Sequence, residues 1–211
     1  MRIISLSDLN FKETLEEAIF VLKQGGVVVY PTDTLYGLGA NALDESSIIK
    51  VFKIKNRPFH KPLPIIVKNM LWAKELSFIY SREEKILNSV WPGAVTAVLP
   101  KRNIIPAVLT SGQHSIGIRI PNYRFIDKLL GKFGYPLTST SANISGQQPS
   151  NKISDIIDLF ENSNFKPDLI INAGDLPESE PSTILDLTTD KPKILRVGPS
   201  KPETLLKLLE V

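Results

Sequence analysis

Apolar and polar positions alternate along this chain in two rhythms. Phe11, Leu15, Ala18, Ile19 and Leu22 recur at helical spacing. Asn10 and Glu13 ahead of them predict a capping box, and Gly25 supplies a stop. Residues 27–30, by contrast, are apolar throughout, which predicts a short buried strand. Asp44 caps a second predicted helix carrying Ile48, Val51 and Phe52 on one side. Pro58 should end it, because the residue before a proline avoids the helical region. Further strands are predicted at 63–67, 94–99, 115–120, 136–140, 169–172, 183–187 and 194–197. Further helices are predicted at 81–90, 125–133, 154–160 and 202–209. Trp91, Pro92 and Gly93 close the helix at 81–90, and the strand at 136–140 runs into Ser141, Ala142 and Asn143. Residues 173–182, AGDLPESEPS, read as a loop rich in proline and acid. Interspersed helices and strands predict an α/β protein. Several strand pairs lack a helix between them, so the expectation is a twisted mixed parallel/antiparallel sheet flanked by helices. The 211 residues fit a single domain, 1–211.

Composition narrows the classes. Hydrophobic content of 42% and charged content of 22% are those of a soluble globular chain. No apolar run approaches the roughly 18 residues of a membrane span. The opening MRIISLSDLNFKE is too short and too polar for a secretory signal. The absence of cysteine excludes disulfides, thiolate zinc sites and cysteine nucleophiles, and is compatible with a reducing cytoplasm. His60 and His114 stand alone, which argues against a histidine-rich metal site. The net charge of +3 is mild, but its distribution is uneven. Between residues 46 and 74 there is no acid, while Lys50, Lys53, Lys55, Arg57, Lys61, Lys68 and Lys74 all fall there.

The candidate chemistry follows from these local patterns. Gly37, Gly39 and Ala42 superficially fit the dinucleotide fingerprint G-x-G-x-x-A. However, residues 31–36 separate the strand from the glycines, and Phe59, His60 and Lys61 stand where a ribose-binding acid belongs. A tight turn with close packing is the better reading of the glycines. Thr32, Asp33 and Thr34 have the composition of a turn. So do Ser139, Thr140, Ser141 and Asn143. Hydroxyls beyond two strand ends of one α/β chain also suit a small polar ligand. Lys53, Lys55 and Arg57 end the second helix, either as a solvated face or as a phosphate clamp. Arg119 lies on an apolar strand with Ile116, Ile118 and Ile120, so it needs an anion, from the protein or from a ligand. Arg196 poses the same question. There is no Walker loop, H-E-x-x-H, EF-hand or supported Ser-His-Asp order. Positioning and charge neutralisation suffice for phosphoryl and nucleotidyl transfer.

Seven ordered segments carry a resemblance. They are YPTDTLYGL from Tyr30, KNRP from Lys55 with KPL from Lys61, WPG from Trp91 with Thr96, GIRIP from Gly117, STSAN from Ser139 with Ser145 and Gly146, PSTI from Pro181, and LRVGP from Leu195. In this order they resemble the YrdC-like threonylcarbamoyl-AMP synthases, in the short single-domain form, over nearly the whole chain. That resemblance implies a concave, positively charged face on a mixed sheet. It implies synthesis of threonylcarbamoyl-AMP and pyrophosphate from L-threonine, bicarbonate and ATP, for threonylcarbamoylation of tRNA. By resemblance Thr34, Arg119, Ser139 and Ser182 contact threonine. Arg57, Lys61, Ser115, Ser141, Ser150 and Arg196 contact ATP, and Lys55 and Arg57 offset charge during transfer. Mg²⁺ is expected on the phosphates with few protein ligands and no dedicated metal site. The loop at 173–182 is read as a water-excluding lid. Lys50, Lys53 and Lys55 form a candidate RNA-binding patch for direct tRNA contact. Partners would then include the downstream tRNA threonylcarbamoyl-transferase machinery and no membrane, with a cytoplasmic location. A non-catalytic RNA-binding module and a carbamoyl-adenylating enzyme are the alternatives.

Overall fold

The computed structural model describes residues 1–200. In chain order its elements are β1 (Arg2–Ser5), α1 (Phe11–Lys23), β2 (Val28–Tyr30), β3 (Gly37–Gly39), α2 (Glu45–Ile54), β4 (Ile65–Ile66), α3 (Met70–Leu76), α4 (Ser81–Val90), β5 (Val95–Pro100), α5 (Ala107–Thr110), β6 (Ser115–Arg119), α6 (Arg124–Phe133), β7 (Leu137–Thr138), β8 (Thr140–Ser141), α7 (Ile153–Glu161), β9 (Leu169–Asn172), β10 (Thr183–Asp186) and β11 (Lys193–Arg196). The helix expected at 202–209 lies outside the described residues.

The strands form two hydrogen-bonded sheets rather than the one expected. Their orders are β1-β9-β2-β3-β8 and β11-β10-β5-β6-β4-β7. Both are mixed: β9 pairs in parallel with β1 and β2, whereas β3 runs antiparallel to β2 and β8. Unbroken apolar runs mark strands covered on both faces. In β2, Val29 faces one apolar core while Val28 and Tyr30 face a second, which is closed by α1 and α6. Ile170 and its neighbours Leu169 and Ile171 divide in the same way.

The second sheet follows the half-buried pattern instead. Val95, Ala97 and Leu99 of β5 and Ile116 and Ile118 of β6 enter the larger core. The two-residue period of a strand then turns Thr96 and Val98, and Ser115, Gly117 and Arg119, to the opposite face, where they line a cavity. Ser182 and Ile184, at and within β10, join them there.

Several local expectations are corrected. Asn10 makes no capping bond to α1; its side chain accepts instead from the Ser7 amide and hydroxyl. Asp44 does cap α2, accepting from the Ser47 amide at 3.0 Å. That helix ends at Ile54, before Pro58 can act, because Asn56 adopts φ +48°. The strand expected at 136–140 breaks at Ser139, whose amide bonds to the Pro64 carbonyl at 2.7 Å. Elements β1, α3 and α5 had no counterpart in the sequence reading. Gly37–Gly39 is not a turn: it is β3, and neither glycine has positive φ. The Tyr30 ring explains their size. A Cβ on Gly37 would lie 2.5 Å from Tyr30 Cε2, and one on Gly39 would lie 2.5 Å from Tyr30 Cε1.

Candidate active site

The cavity is about 580 Å³ and lies on the open face of the six-stranded sheet, roofed in part by the segments around β3 and β8. Its lining includes Lys55, Arg57, Lys61, Arg119 and Arg196 and contains no aspartate, glutamate or histidine. Such a lining favours a polyanion over a divalent cation.

Arg119 sits at the end of β6 and is 6% exposed. Its Nε donates to the Gly93 carbonyl at 2.9 Å, its Nη1 to Thr34 Oγ1 at 2.9 Å and its Nη2 to Asp33 Oδ1 at 2.5 Å. The anion required by the sequence is therefore supplied by Asp33. A guanidinium has five N–H donors, so two remain on the terminal nitrogens after these bonds. The single N–H of Nε is taken by Gly93, so any ligand oxygen would have to share the terminal nitrogens with Thr34 and Asp33. Burial pushes the guanidinium below its ordinary value, and Asp33 acts against that shift.

Two hydroxyl groups of threonines near this end differ in role. Thr32 Oγ1 accepts from the Thr34 amide and donates to the Leu35 carbonyl, so it is a turn former. Thr34 Oγ1 instead reaches Arg119 across 85 residues of sequence. Ser139 lines the same cavity. Ser182 Oγ lies 2.8 Å from Thr96 Oγ1, and both side chains are buried. The Ser182 carbonyl accepts from Nε and Nη2 of Arg196, which fixes that guanidinium on edge strand β11.

Lys55 caps the C-terminus of α2 and is 1% exposed. Its ammonium donates to the Ser141 carbonyl at 2.6 Å, the Asn143 carbonyl at 2.8 Å and Asn143 Oδ1 at 2.9 Å. All of its N–H donors thus have protein acceptors. Burial first, and then the neighbouring Arg57, push it down to about 7. Arg57 is pinned by the Lys61 and Pro62 carbonyls, at 3.0 and 2.9 Å. Ser141 donates to Asn143 Oδ1 at 2.6 Å, and Ser115 and Lys61 complete this part of the wall.

Three assignments change. Ser150 is outside the cavity lining; its hydroxyl bonds to Asp155 at the start of α7. Lys55 cannot belong to an exposed RNA-binding patch with Lys50 and Lys53, since it is buried while they are exposed on α2. Lys50 already donates to the Gly25 carbonyl at 2.7 Å. Much of the segment 173–182, expected as a lid, is tied to the rest of the fold. Tyr36 Oη holds Ala173 and Gly174, and Leu176 is buried and bonded to Asn151, so only residues 177–180 are left without such ties. Asp33, Thr96 and Asn143 were not assigned to the site from sequence. Arg119's need for an anion signals that a carboxylate belongs beside it, but not which one.

The model of the Sua5/YciO/YrdC domain family, described as telomere recombination, matches residues 20–198. The chain belongs to this family. A Pyrococcus abyssi relative named threonylcarbamoyl-AMP synthase is 33% identical over 95% of this chain, which spans 60% of that protein's length. An Actinobacillus succinogenes protein of the same name is 36% identical over 90% of this chain and all of its own length. The crystal structure of P. abyssi Sua5 complexed with L-threonine superposes with a TM-score of 0.91 at 32% identity, covering 99% of this chain and 61% of that one. E. coli YciO gives a TM-score of 0.85 at 26% identity, covering 99% and 98%. Full-length HypF, at 16% identity and a TM-score of 0.76, shares the fold alone.

Proposed function

We propose that the chain makes threonylcarbamoyl-AMP and pyrophosphate from L-threonine, bicarbonate and ATP. One observation supports this reading: a single cavity brings the Arg119 guanidinium and the hydroxyls of Thr34, Ser139 and Ser182 together with Lys55, Arg57, Lys61 and Arg196. The names of the relatives and the threonine complex of P. abyssi Sua5 point the same way.

In this mechanism the neutral threonine amine condenses with bicarbonate with loss of water, or adds to carbon dioxide and gives up one proton to solvent, forming a carbamate. A carbamate oxygen attacks the α-phosphorus of ATP, and pyrophosphate leaves with the electrons of the α–β bridge. The terminal edge of Arg119 holds the threonine carboxylate. Thr34, Ser139 and Ser182 orient the amine and hydroxyl, and would discriminate against apolar analogues whose binding leaves them unpaired. Arg57, Lys61 and Arg196 offset the triphosphate charge, with Ser115 and Ser141 as hydrogen-bonding partners. Lys55 contributes its charge from within the wall and positions the Ser141–Asn143 segment. The lining offers no carboxylate or imidazole to a metal, and the described residues contain no cluster that could hold one. Mg²⁺ would therefore ride on the phosphates, and no step here runs through it.

The same reading makes the protein cytoplasmic and places it ahead of a tRNA threonylcarbamoyl-transfer step. Direct tRNA contact would fall to exposed Lys50 and Lys53. RNA binding without catalysis leaves the buried hydroxyls and Arg119 unexplained. The carbamoyl-adenylating alternative rests on fold likeness alone. The deciding experiment is incubation with ATP, Mg²⁺, bicarbonate and labelled threonine, with mass analysis for threonylcarbamoyl-AMP. Product formation from carbamoyl phosphate but not from threonine and bicarbonate would overturn the reading.

A further inference from the structure

The cavity's cations are not equivalent. Among the described residues, Arg119 is the lining cation that forms a salt bridge, to Asp33. Lys55, Arg57 and Arg196 bond to carbonyl or amide oxygens instead, although Glu180 exerts a longer-range pull on Arg196. Asp33 is outside the lining, and its side chain is 17% exposed. Its second oxygen accepts from the Asn122 amide at 3.2 Å, so the carboxylate is fixed from two sides. Together with Gly93 and Thr34 it holds the guanidinium in one orientation, each nitrogen bonded once and one further N–H left on each terminal nitrogen.

We propose that Asp33 is a positioning residue that sorts anions within the cavity. It aims Arg119 at a carboxylate and, by neutralising that guanidinium, keeps a triphosphate or pyrophosphate on Lys55 and Arg57, while Arg196 is near enough to Arg119 to act on it. A fully charged Arg119 in the same low-dielectric wall would attract phosphate as strongly as its neighbours do. A bound triphosphate oxygen there would block threonine. This inference rests on the functional reading above.

The test is steady-state synthesis with inorganic pyrophosphate as the inhibitor, using purified full-length protein. In the unmodified protein, pyrophosphate should compete with ATP and not with threonine. Asp33→Asn keeps an oxygen acceptor but removes the charge. It should raise the threonine KM by about tenfold, leave the ATP KM within about twofold, and make pyrophosphate competitive with threonine. Asp33→Glu keeps the charge on a longer arm. It should raise the threonine KM without adding that competition. Adding Asp33→Asn to Arg119→Ala should cost little more, because Asp33 acts through Arg119. An unchanged threonine KM and inhibition pattern in folded Asp33→Asn would overturn the proposal. So would equal rises for both substrates, or full additivity with Arg119→Ala. If Asp33→Asn does not fold, competition between pyrophosphate and threonine in Asp33→Glu would overturn the sorting role. Failure of the unmodified protein to form adenylate would instead overturn the functional reading.

Discussion

Arg119 and Lys55 are buried cations on one cavity, stabilised by different means. Arg119 has a carboxylate partner in Asp33, whereas Lys55 has only neutral oxygens from Ser141 and Asn143. A carboxylate cancels charge locally and fixes orientation. Neutral acceptors satisfy donors but leave the positive charge to act across the cavity. The difference assigns shape recognition to one end and charge to the other.

The largest break in this comparison is Arg119→Ala. It removes the ligand edge and leaves Asp33 without its counter-charge, so threonine use should fall by about 2–5 kcal/mol in apparent transition-state stabilisation. ATP affinity should be nearly unchanged. Parallel KM measurements for the two substrates check this, and an unaltered threonine KM in a folded variant would refute it.

Lys55→Met tests the other end. The substitution leaves the Ser141 and Asn143 oxygens without their donor and should cost about 1–3 kcal/mol in stability, seen in chemical denaturation. It should also weaken ATP binding more than threonine binding. The pH dependence follows from the shift of Lys55 to about 7, below its ordinary value of 10.5. Between these values the unfolded chain binds more protons than the folded one at this site, so its contribution raises stability as pH increases. ATP affinity should fall over the same rise through about 7, because the cavity loses a charge. Lys55→Met should flatten both slopes, and a variant retaining the same ATP slope would exclude Lys55 as its source.

Thr34→Val should have a smaller effect, about 0.5–1.5 kcal/mol for one hydrogen bond. It removes an acceptor from Arg119 and should narrow the preference for threonine over 2-aminobutyrate. An unchanged preference would reduce Thr34 to a turn residue. The smallest effect expected is outside the cavity. Neutralising Lys50 and Lys53 together should lower the slope of log tRNA affinity against log salt by about one to two units and leave synthesis intact. Loss of synthesis would instead tie those lysines to the active site.

Much of the second sheet was legible because its strands alternate. Ile116, Ile118 and Ile120 announced a buried face, which put Arg119 on the other. What sequence could not give was the pairing of Arg119 with Asp33, because it depends on how β6 and the turn after β2 meet. Lys55 misled for a related reason. A lysine at a helix end reads as solvated, and only the approach of the Ser141–Asn143 segment buries it. Ser150 lies close in sequence to cavity residue Pro149, yet its side chain turns to Asp155 instead. The glycines of β3 read as a turn since their requirement is set by a ring on the neighbouring strand.

That ring has a consequence for genetics. A methyl group at Gly39 would meet Tyr30 at 2.5 Å and the Thr138 carbonyl at 2.8 Å, and the second neighbour is backbone. Alleles at Gly39 should therefore resemble active-site alleles in any selection that scores product, although Gly39 is not part of the cavity lining. Cellular abundance would separate the two groups: an active-site allele that still folds would leave inactive protein, while Gly39→Ala would leave little protein at all.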